Sequence, residues 1–251
     1  MAIVFAALGR LDLAPIAVLA GAVFDFLDGF IARKLKIDGE MGKQLDSLAD
    51  IVTFGVAPGV IMMVVMTLWL PGFREQPYFE VIRYDFLEHF DLLFAGEIND
   101  FMPLFALAIP FFSLFRLAKF NIDERQKIGF LGLPTPANAM FFMTFPLIIA
   151  YPQSLPGFLS DYEYVLFTEE VLAGLVVLVS LLCVIEIPLI SLKFTSFGWK
   201  GNESRFILLL ISIVLIVIFK GLSLALIVFL YLIISLTENI ISKGKTHEIQ
   251  S

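Results

Sequence analysis

Cysteine, histidine and charged side chains are all scarce in this sequence. Of its 251 residues, one is a cysteine, two are histidines and 16% are charged. The single cysteine, Cys183, lies within an apolar run, so neither a disulfide framework nor a thiolate metal site can be built. His89 and His247 lie in polar segments, which leaves no histidine to act as a base within the apolar runs.

Positive charge is also in deficit. The chain has 17 lysines and arginines against 24 acidic residues, a net charge of -7 and an isoelectric point near 4.9. This balance argues against a nucleic-acid partner, because binding a phosphate backbone needs a basic surface. Hydrophobic residues, in contrast, make up 59% of the chain and the mean hydropathy is +0.91, a composition typical of an integral membrane protein.

The apolar residues are grouped into long runs separated by helix breakers such as Pro71-Gly72 and Lys220-Gly221. A backbone in hydrocarbon must satisfy its own hydrogen bonds, so these runs are expected to be helices. We therefore predict an all-α, polytopic transmembrane helical bundle of about seven to eight helices, forming one integral membrane domain over residues 1–251. The runs cover residues 13–35, 45–70, 101–120, 136–151, 171–194, 206–219 and 222–236.

The first apolar segment, residues 2–9, is too short to cross a bilayer, which takes about 20 residues. It has neither a basic region before it nor a clear cleavage site after it, so it does not read as a secretory signal peptide. We expect it to be the remainder of a truncated first helix.

The lysines and arginines indicate how the bundle is oriented. Threading the helices alternately through a bilayer places Arg10, Arg74, Arg83 and Lys220 on one side and every other basic residue on the opposite side. The basic side is expected to be cytoplasmic. The acidic loops over residues 74–100 and 153–170 then lie on the other side and are interpreted as solvated surface.

Four aspartates interrupt two of the apolar runs. Asp25 and Asp28 are three residues apart on one predicted helix, and Asp46 and Asp50 are four apart on the next, so each pair shares a helix face. Carboxylates cost several kcal/mol in an apolar span, at least ~2.5 each on insertion scales, and therefore tend to face the bundle interior and serve a function there.

The two motif-bearing helices, at about residues 13–36 and 43–70, are joined by a short hairpin. They are therefore expected to be antiparallel neighbours, with both aspartate pairs at one depth near the cytoplasmic end. Converging carboxylates repel unless cations neutralise them, and they are the ligands preferred by hard divalent ions. This predicts a metal site, with two ions able to hold a diphosphate for in-line displacement. Purely structural pairing between helices is the alternative, but Arg33 alone cannot neutralise four acids.

These residues follow a fixed order: Asp25-x2-Asp28-Gly29-x2-Ala32-Arg33-x8-Gly42-x3-Asp46-x3-Asp50. The pattern resembles the complete signature of the CDP-alcohol phosphotransferase family. The resemblance implies that the four aspartates bind two divalent cations, Mg²⁺ or Mn²⁺ with Ca²⁺ as a further candidate. It also implies that Asp50 accepts the proton of the acceptor alcohol, and that Gly29, Ala32, Arg33 and Gly42 line the pocket for the CDP moiety.

Four longer segments, at residues 24–29, 45–58, 116–121 and 132–137, are similar to bacterial and archaeal phosphatidylserine synthases. This resemblance implies transfer of a phosphatidyl group from CDP-diacylglycerol to L-serine, giving phosphatidylserine and CMP. It further implies a homodimer in a bacterial-type inner membrane with its active site facing the cytoplasm. The sequence departs from this group at its start, where a first helix with an asparagine-bearing lead-in is expected.

Two other functions remain open at this point. The same chemistry with glycerol 3-phosphate or inositol phosphate as acceptor would require additional basic residues in the cavity, and Arg116 and Lys119 are available. A divalent cation transporter also uses intramembrane acids, but it would spread them along a path across the bilayer. Here they are grouped at one end.

Several basic and polar residues are candidates for binding the acceptor. Arg116, Lys119 and Asn121 lie where a predicted helix reaches the same side as the aspartates, and could bind the serine carboxylate or the lipid phosphate. Ordinary anchoring at the membrane edge is the alternative for these residues, and also for Arg33.

Overall fold

The computed structural model describes residues 1–35, 39–68, 98–122, 130–151, 157, 167–190, 198–199 and 202–250, with side chains described for all of these except 33, 43, 68, 98–100, 130 and 241–250. The regular secondary structure of this part of the chain is helical apart from one pair of two-residue strands, and the predicted all-α bundle is confirmed. The helices are α1 (Ala2–Ala7), α2 (Ala14–Leu35), α3 (Glu40–Asp50), α4 (Ala57–Leu68), α5 (Ala108–Ile122), α6 (Thr135–Ala150), α7 (Glu169–Leu181), α8 (Glu203–Phe219) and α9 (Ser223–Gln250).

Short irregular elements join or extend some of these helices. A π-helical turn, Ile51–Val56, connects α3 to α4, and a 3₁₀ segment, Ile98–Leu107, leads into α5. A second 3₁₀ turn, Lys220–Leu222, separates α8 from α9, which pack against each other. The break predicted at Lys220-Gly221 is therefore present.

The helix that runs from α3 through the π turn to α4 changes character along its length. Most α3 side chains are exposed, whereas Ile61, Met62, Val65 and Met66 of α4 are completely buried. These α4 residues form the centre of the apolar core, with contributions from α6 and α7. The half that bears Asp46 and Asp50 is thus accessible, while the other half is held in the core.

Four stretches within the described residues are long and apolar enough to cross a membrane: Ala14–Ala32, Glu40–Thr67, Phe101–Ile122 and Glu203–Ile240. The last of these contains the turn between α8 and α9. On α8, Ile213, Val217 and Ile218 are each more than 60% exposed. Such a continuous apolar surface requires a lipid or protein environment and is typical of an integral membrane protein.

The run over residues 171–194 was expected to form a single helix, and this prediction is wrong. Helix α7 ends at Leu181, and the chain from 182 to 190 is not helical. It instead pairs with the segment before α6. Strand β1 (Phe130–Leu131) is antiparallel to β2 (Pro188–Leu189), Gly132 N donates to Ile187 O (2.8 Å) and Leu133 N donates to Leu182 O (2.9 Å).

Helix α9 provides three further hydrogen bonds to this non-helical backbone. Tyr231 Oη donates to Ile190 O (2.9 Å), Ile190 N donates to Ser235 Oγ (3.3 Å), and Asn239 Nδ2 donates to Pro188 O. The three α9 side chains are spaced by four residues and therefore share one face. Irregular backbone within a membrane bundle is tolerated when the protein itself satisfies its polar groups, and here α9 and the segment before α6 do so.

Gly132 is the position where this arrangement tolerates no side chain. Its φ is +78°, and a Cβ there would lie 2.6 Å from Cys183 O and 2.8 Å from Ile185 O. We expect Gly132→Ala to lower the free energy of unfolding by about 2 kcal/mol or more, since it adds backbone strain to a steric clash. The measurement is thermal unfolding of the purified protein in detergent.

Gly174→Ala is the matched control. Gly174 lies within α7, and no atom would lie within 4 Å of a Cβ added there. Alanine favours a helix more than glycine does, so this variant should be as stable as the parent or slightly more stable. Equal unfolding temperatures for Gly132→Ala and the parent would contradict the described loop.

Candidate functional site

The two aspartate pairs of the sequence pattern meet in the structure. Asp25 and Asp28 come from the last three turns of α2, and Asp46 from the middle of α3. One carboxylate oxygen from each of these three residues lies within 4.8 Å of the other two. Asp25 is half-buried, whereas Asp28 and Asp46 are exposed, so the group is accessible from outside the apolar core.

Asp50 joins this group through Asp25. The two carboxyl groups lie within hydrogen-bonding reach of each other, and Asp50 is also close enough to Asp46 and Asp28 to interact electrostatically with them. Asp50 is half-buried and is the last residue of α3, directly before the π turn. The four acids therefore occupy one small volume, with Asp50 on its more buried side.

The chemistry of these donors fits a hard divalent cation. The described cluster offers only carboxylate oxygens, which are the ligands that Mg²⁺, Mn²⁺ and Ca²⁺ prefer. Three oxygens within 4.8 Å of one another could contact a common ion at 2.0–2.6 Å. The mutual repulsion of the carboxylates is a further reason for cation binding.

Comparison with protein families agrees with this constellation. A family model described as CDP-alcohol phosphatidyltransferase matches residues 1–185, which include α1 to α7 and all four aspartates. The chain belongs to the CDP-alcohol phosphatidyltransferase family. The predicted family resemblance is thereby confirmed, and enzymes of this family act on a CDP-alcohol and an acceptor alcohol.

Three individual relatives share one name within the CDP-alcohol phosphatidyltransferase family. A CDP-diacylglycerol--serine O-phosphatidyltransferase of Helicobacter pylori is 31% identical over 93% of this chain and 82% of the relative. An enzyme of the same name from Bacillus subtilis is 34% identical over 51% of this chain and 56% of the relative. Another from Saccharomyces cerevisiae is 52% identical over 48% of this chain and 36% of the relative. The chain thus spans just over half the length of the Bacillus relative.

The residues predicted to line the CDP pocket lie beside the aspartates. Gly29 and Ala32 are on α2 and partly exposed. Gly42 is in the first turn of α3, and no atom would lie within 4 Å of a Cβ added there, so there is open space next to it. Arg33 lies on α2, but its side chain is outside the described part of the structure. The role of these residues in binding a nucleotide stays a prediction.

The three candidates for acceptor binding differ in their surroundings. Asn121 Nδ2 donates to Ser47 Oγ (3.0 Å), which connects the end of α5 to the residue after Asp46. Lys119 Nζ forms an ion pair with Glu186 Oε1 at 2.6 Å. Asn121 is therefore the candidate whose described contact reaches the aspartate-bearing helix.

Arg116, the third candidate, is only 4% exposed. Its Nε donates to Leu133 O (3.4 Å), and its guanidinium lies 5.5 Å from the ring centroid of Phe120. Arg116 therefore packs against the segment that leads into α6.

Sequence reasoning overlooked two partners of these residues. Ser47 lies between Asp46 and Asp50, at a position where the signature specifies no residue type. Glu186 is an isolated acid within the apolar run over residues 171–194. Its position beside Pro188, where a helix is interrupted, was the available signal that it could turn toward a lysine of another helix.

Replacing a carboxylate of the cluster should weaken metal binding. We expect Asp28→Asn and Asp46→Asn each to raise the dissociation constant for Mn²⁺ by more than about 10-fold, because loss of even an outer-shell partner commonly costs that much. Mn²⁺ titration followed by electron paramagnetic resonance on purified protein measures this directly. Glu40→Gln, which neutralises an exposed acid on the same helix, is the control and should bind as the parent does. Unchanged affinity in both aspartate variants would refute the site.

Proposed function

We propose that this chain transfers the phosphatidyl group of CDP-diacylglycerol to the hydroxyl of L-serine, forming phosphatidylserine and releasing CMP. The convergence of carboxylates from α2 and α3 within 4.8 Å carries this proposal. It provides the acidic cluster that a diphosphate-cleaving site of this family needs. The activity named for the relatives in Helicobacter, Bacillus and Saccharomyces supports CDP-diacylglycerol and serine as the substrates.

A lipid substrate would reach this site from the membrane. The aspartates lie in the second half of α2 and along α3, and exposed apolar side chains such as Phe24, Phe26 and Leu48 lie close to them in sequence. The acyl chains can stay in the bilayer while the polar head enters the cluster. The distribution of basic residues favours a site that faces the cytoplasm. We further propose that the protein is a homodimer in a bacterial-type inner membrane.

Asp25, Asp28 and Asp46 would hold divalent cations, Mg²⁺ or Mn²⁺, with Asp50 contributing through its contact with Asp25. Bound cations would supply positive charge that offsets the diphosphate and the charge developing on the departing CMP. Gly29, Ala32 and Gly42 leave room for the nucleotide beside the helix backbones, and Arg33 is assigned to a phosphate.

Asp50 is proposed as the general base. It accepts the proton of the serine hydroxyl while the serine oxygen forms a bond to the lipid-side phosphorus. The bond from that phosphorus to the oxygen bridging the two phosphates breaks, and CMP departs with the electron pair. The half-buried position of Asp50, beside the more exposed Asp28 and Asp46, suits a residue that takes up a proton.

Loss of the Asp50 carboxylate should stop turnover while preserving the site's shape. We expect Asp50→Asn to lower kcat by about 10²- to 10⁴-fold, the usual contribution of a general base. Binding of the CDP-lipid should be retained in part. Release of CMP from CDP-diacylglycerol in detergent micelles with Mn²⁺ gives the rate, and Glu40→Gln is the control. An Asp50→Asn variant with full activity would remove Asp50 from this role.

The acceptor can be identified by offering alternatives to the same preparation. Labelled CDP-diacylglycerol should release CMP upon addition of L-serine with Mn²⁺ or Mg²⁺ and remain intact with a chelator. Glycerol 3-phosphate and inositol phosphate carry a dianionic phosphate in place of the serine zwitterion, and we expect each to react at less than about a tenth of the serine rate. A faster reaction with either phosphate-bearing alcohol would assign the chain to that acceptor.

A further inference from the structure

The two aspartate-bearing helices are in tight contact at a pair of residues that the family signature does not contain. A Cβ added to Gly21 of α2 would lie 2.7 Å from Thr53 Cγ2 in the π turn. Carbon atoms in contact are normally about 3.5–4.0 Å apart, so α2 can sit this close only because Gly21 has no side chain.

This contact is adjacent to the aspartates on both helices. Gly21 is four residues before Asp25, and Thr53 is three residues after Asp50, so each contact residue lies one turn from an aspartate on about the same helix face. Asp25 and Asp50 are the two aspartates whose carboxyl groups lie within hydrogen-bonding reach of each other. The Gly21–Thr53 contact therefore lies directly behind the point where the two aspartate pairs meet.

The π turn cannot move away from α2, because α5 holds its other side. A Cβ on Gly55 would lie 3.2 Å from Ser113 Cβ and 3.3 Å from Pro110 Cα, and one on Gly59 would lie 2.8 Å from Pro110 Cδ. Thr53 and Gly55 are two residues apart and so face nearly opposite directions. Thr53 is also β-branched, with a side chain that has few rotamers available in a helix. A group added at Gly21 must therefore displace α2 or force Thr53 into its other helical rotamer.

We propose that Gly21 is a positioning residue, whose lack of a side chain opposite Thr53 allows the required separation between the Asp25–Asp28 pair and the Asp46–Asp50 pair. This inference rests on the proposed function, since the separation matters because the pairs jointly hold cations. Metal ligands must lie within about 0.2 Å of their ideal distances, and a 1 Å misplacement of reacting groups can cost about 100-fold in rate. The gap of 2.7 Å is short of normal contact by an amount on that scale.

The test adds a methyl group at residue 21 and then removes the Thr53 Cγ2 methyl group that it would contact. Gly21→Ala should raise the Mn²⁺ dissociation constant by more than about 10-fold and lower kcat by about 100-fold. Thr53→Ser deletes Cγ2 while keeping the hydroxyl, and by itself should leave both values within about 3-fold of the parent. The double variant should return both to within the same range. Gly174→Ala, with open space around the added methyl group, is the control.

Mn²⁺ binding, measured by electron paramagnetic resonance without substrate, separates this inference from the proposed reaction. If the parent binds Mn²⁺ but releases no CMP with serine, the proposed function fails while the Mn²⁺ affinities of the four variants still test the positioning role. Parent-like affinity in Gly21→Ala would overturn the inference, and so would a double variant that remains defective. If Gly21→Ala does not accumulate as folded protein, the double variant must still fold and bind Mn²⁺ as the parent does, and its failure would be equally decisive.

Discussion

Electrostatic repulsion among four aspartates is the constraint on which the rest of this structure depends. Asp25, Asp28, Asp46 and Asp50 gain nothing from one another as anions, so the protein must bring them together by other means. Helix packing provides those means. We call the helix that runs from α3 through the π turn to α4 the central helix. Small residues allow α2 and α5 to approach it from two sides, and the buried apolar face of α4 holds it in the core. The unfavourable cluster is thus stabilised by contacts that lie outside it.

The non-helical chain over residues 182–190 illustrates a second constraint. Backbone polar groups in a membrane protein need partners within the protein, and α9 supplies them from Tyr231, Ser235 and Asn239. This segment also contains Glu186, which forms an ion pair with Lys119 of α5. It therefore connects α9 to α5, whose Asn121 donates a hydrogen bond to Ser47. Helix α9 therefore contributes to the arrangement around the aspartates, although the matched family model ends at residue 185.

The sequence was sufficient to predict the helical bundle and the meeting of the aspartates, because both follow from local rules. Apolar runs must be helical in hydrocarbon, and spacings of three and four residues place Asp25 with Asp28 and Asp46 with Asp50. The unwinding after Leu181 could not be predicted from its own apolar composition, since it depends on hydrogen bonds from residues some 50 positions away in either direction. The π turn was missed for a related reason. Pro58 cannot donate to Phe54 O, yet this omission alone does not determine how the preceding turn rearranges.

The central helix contains both part of the aspartate cluster and the middle of the core. Its first half bears Asp46 and Asp50 on an accessible surface, and its second half, with Ile61, Met62, Val65 and Met66, is the middle of the core. The helix is continuous from Glu40 to Leu68, so a substitution that shifts α4 in the core would also shift the carboxylates. Thermal stability and the geometry of the aspartate cluster are therefore linked in this molecule. Substitutions intended to raise stability are better directed to the exposed apolar surface of α8, which lies outside this helix.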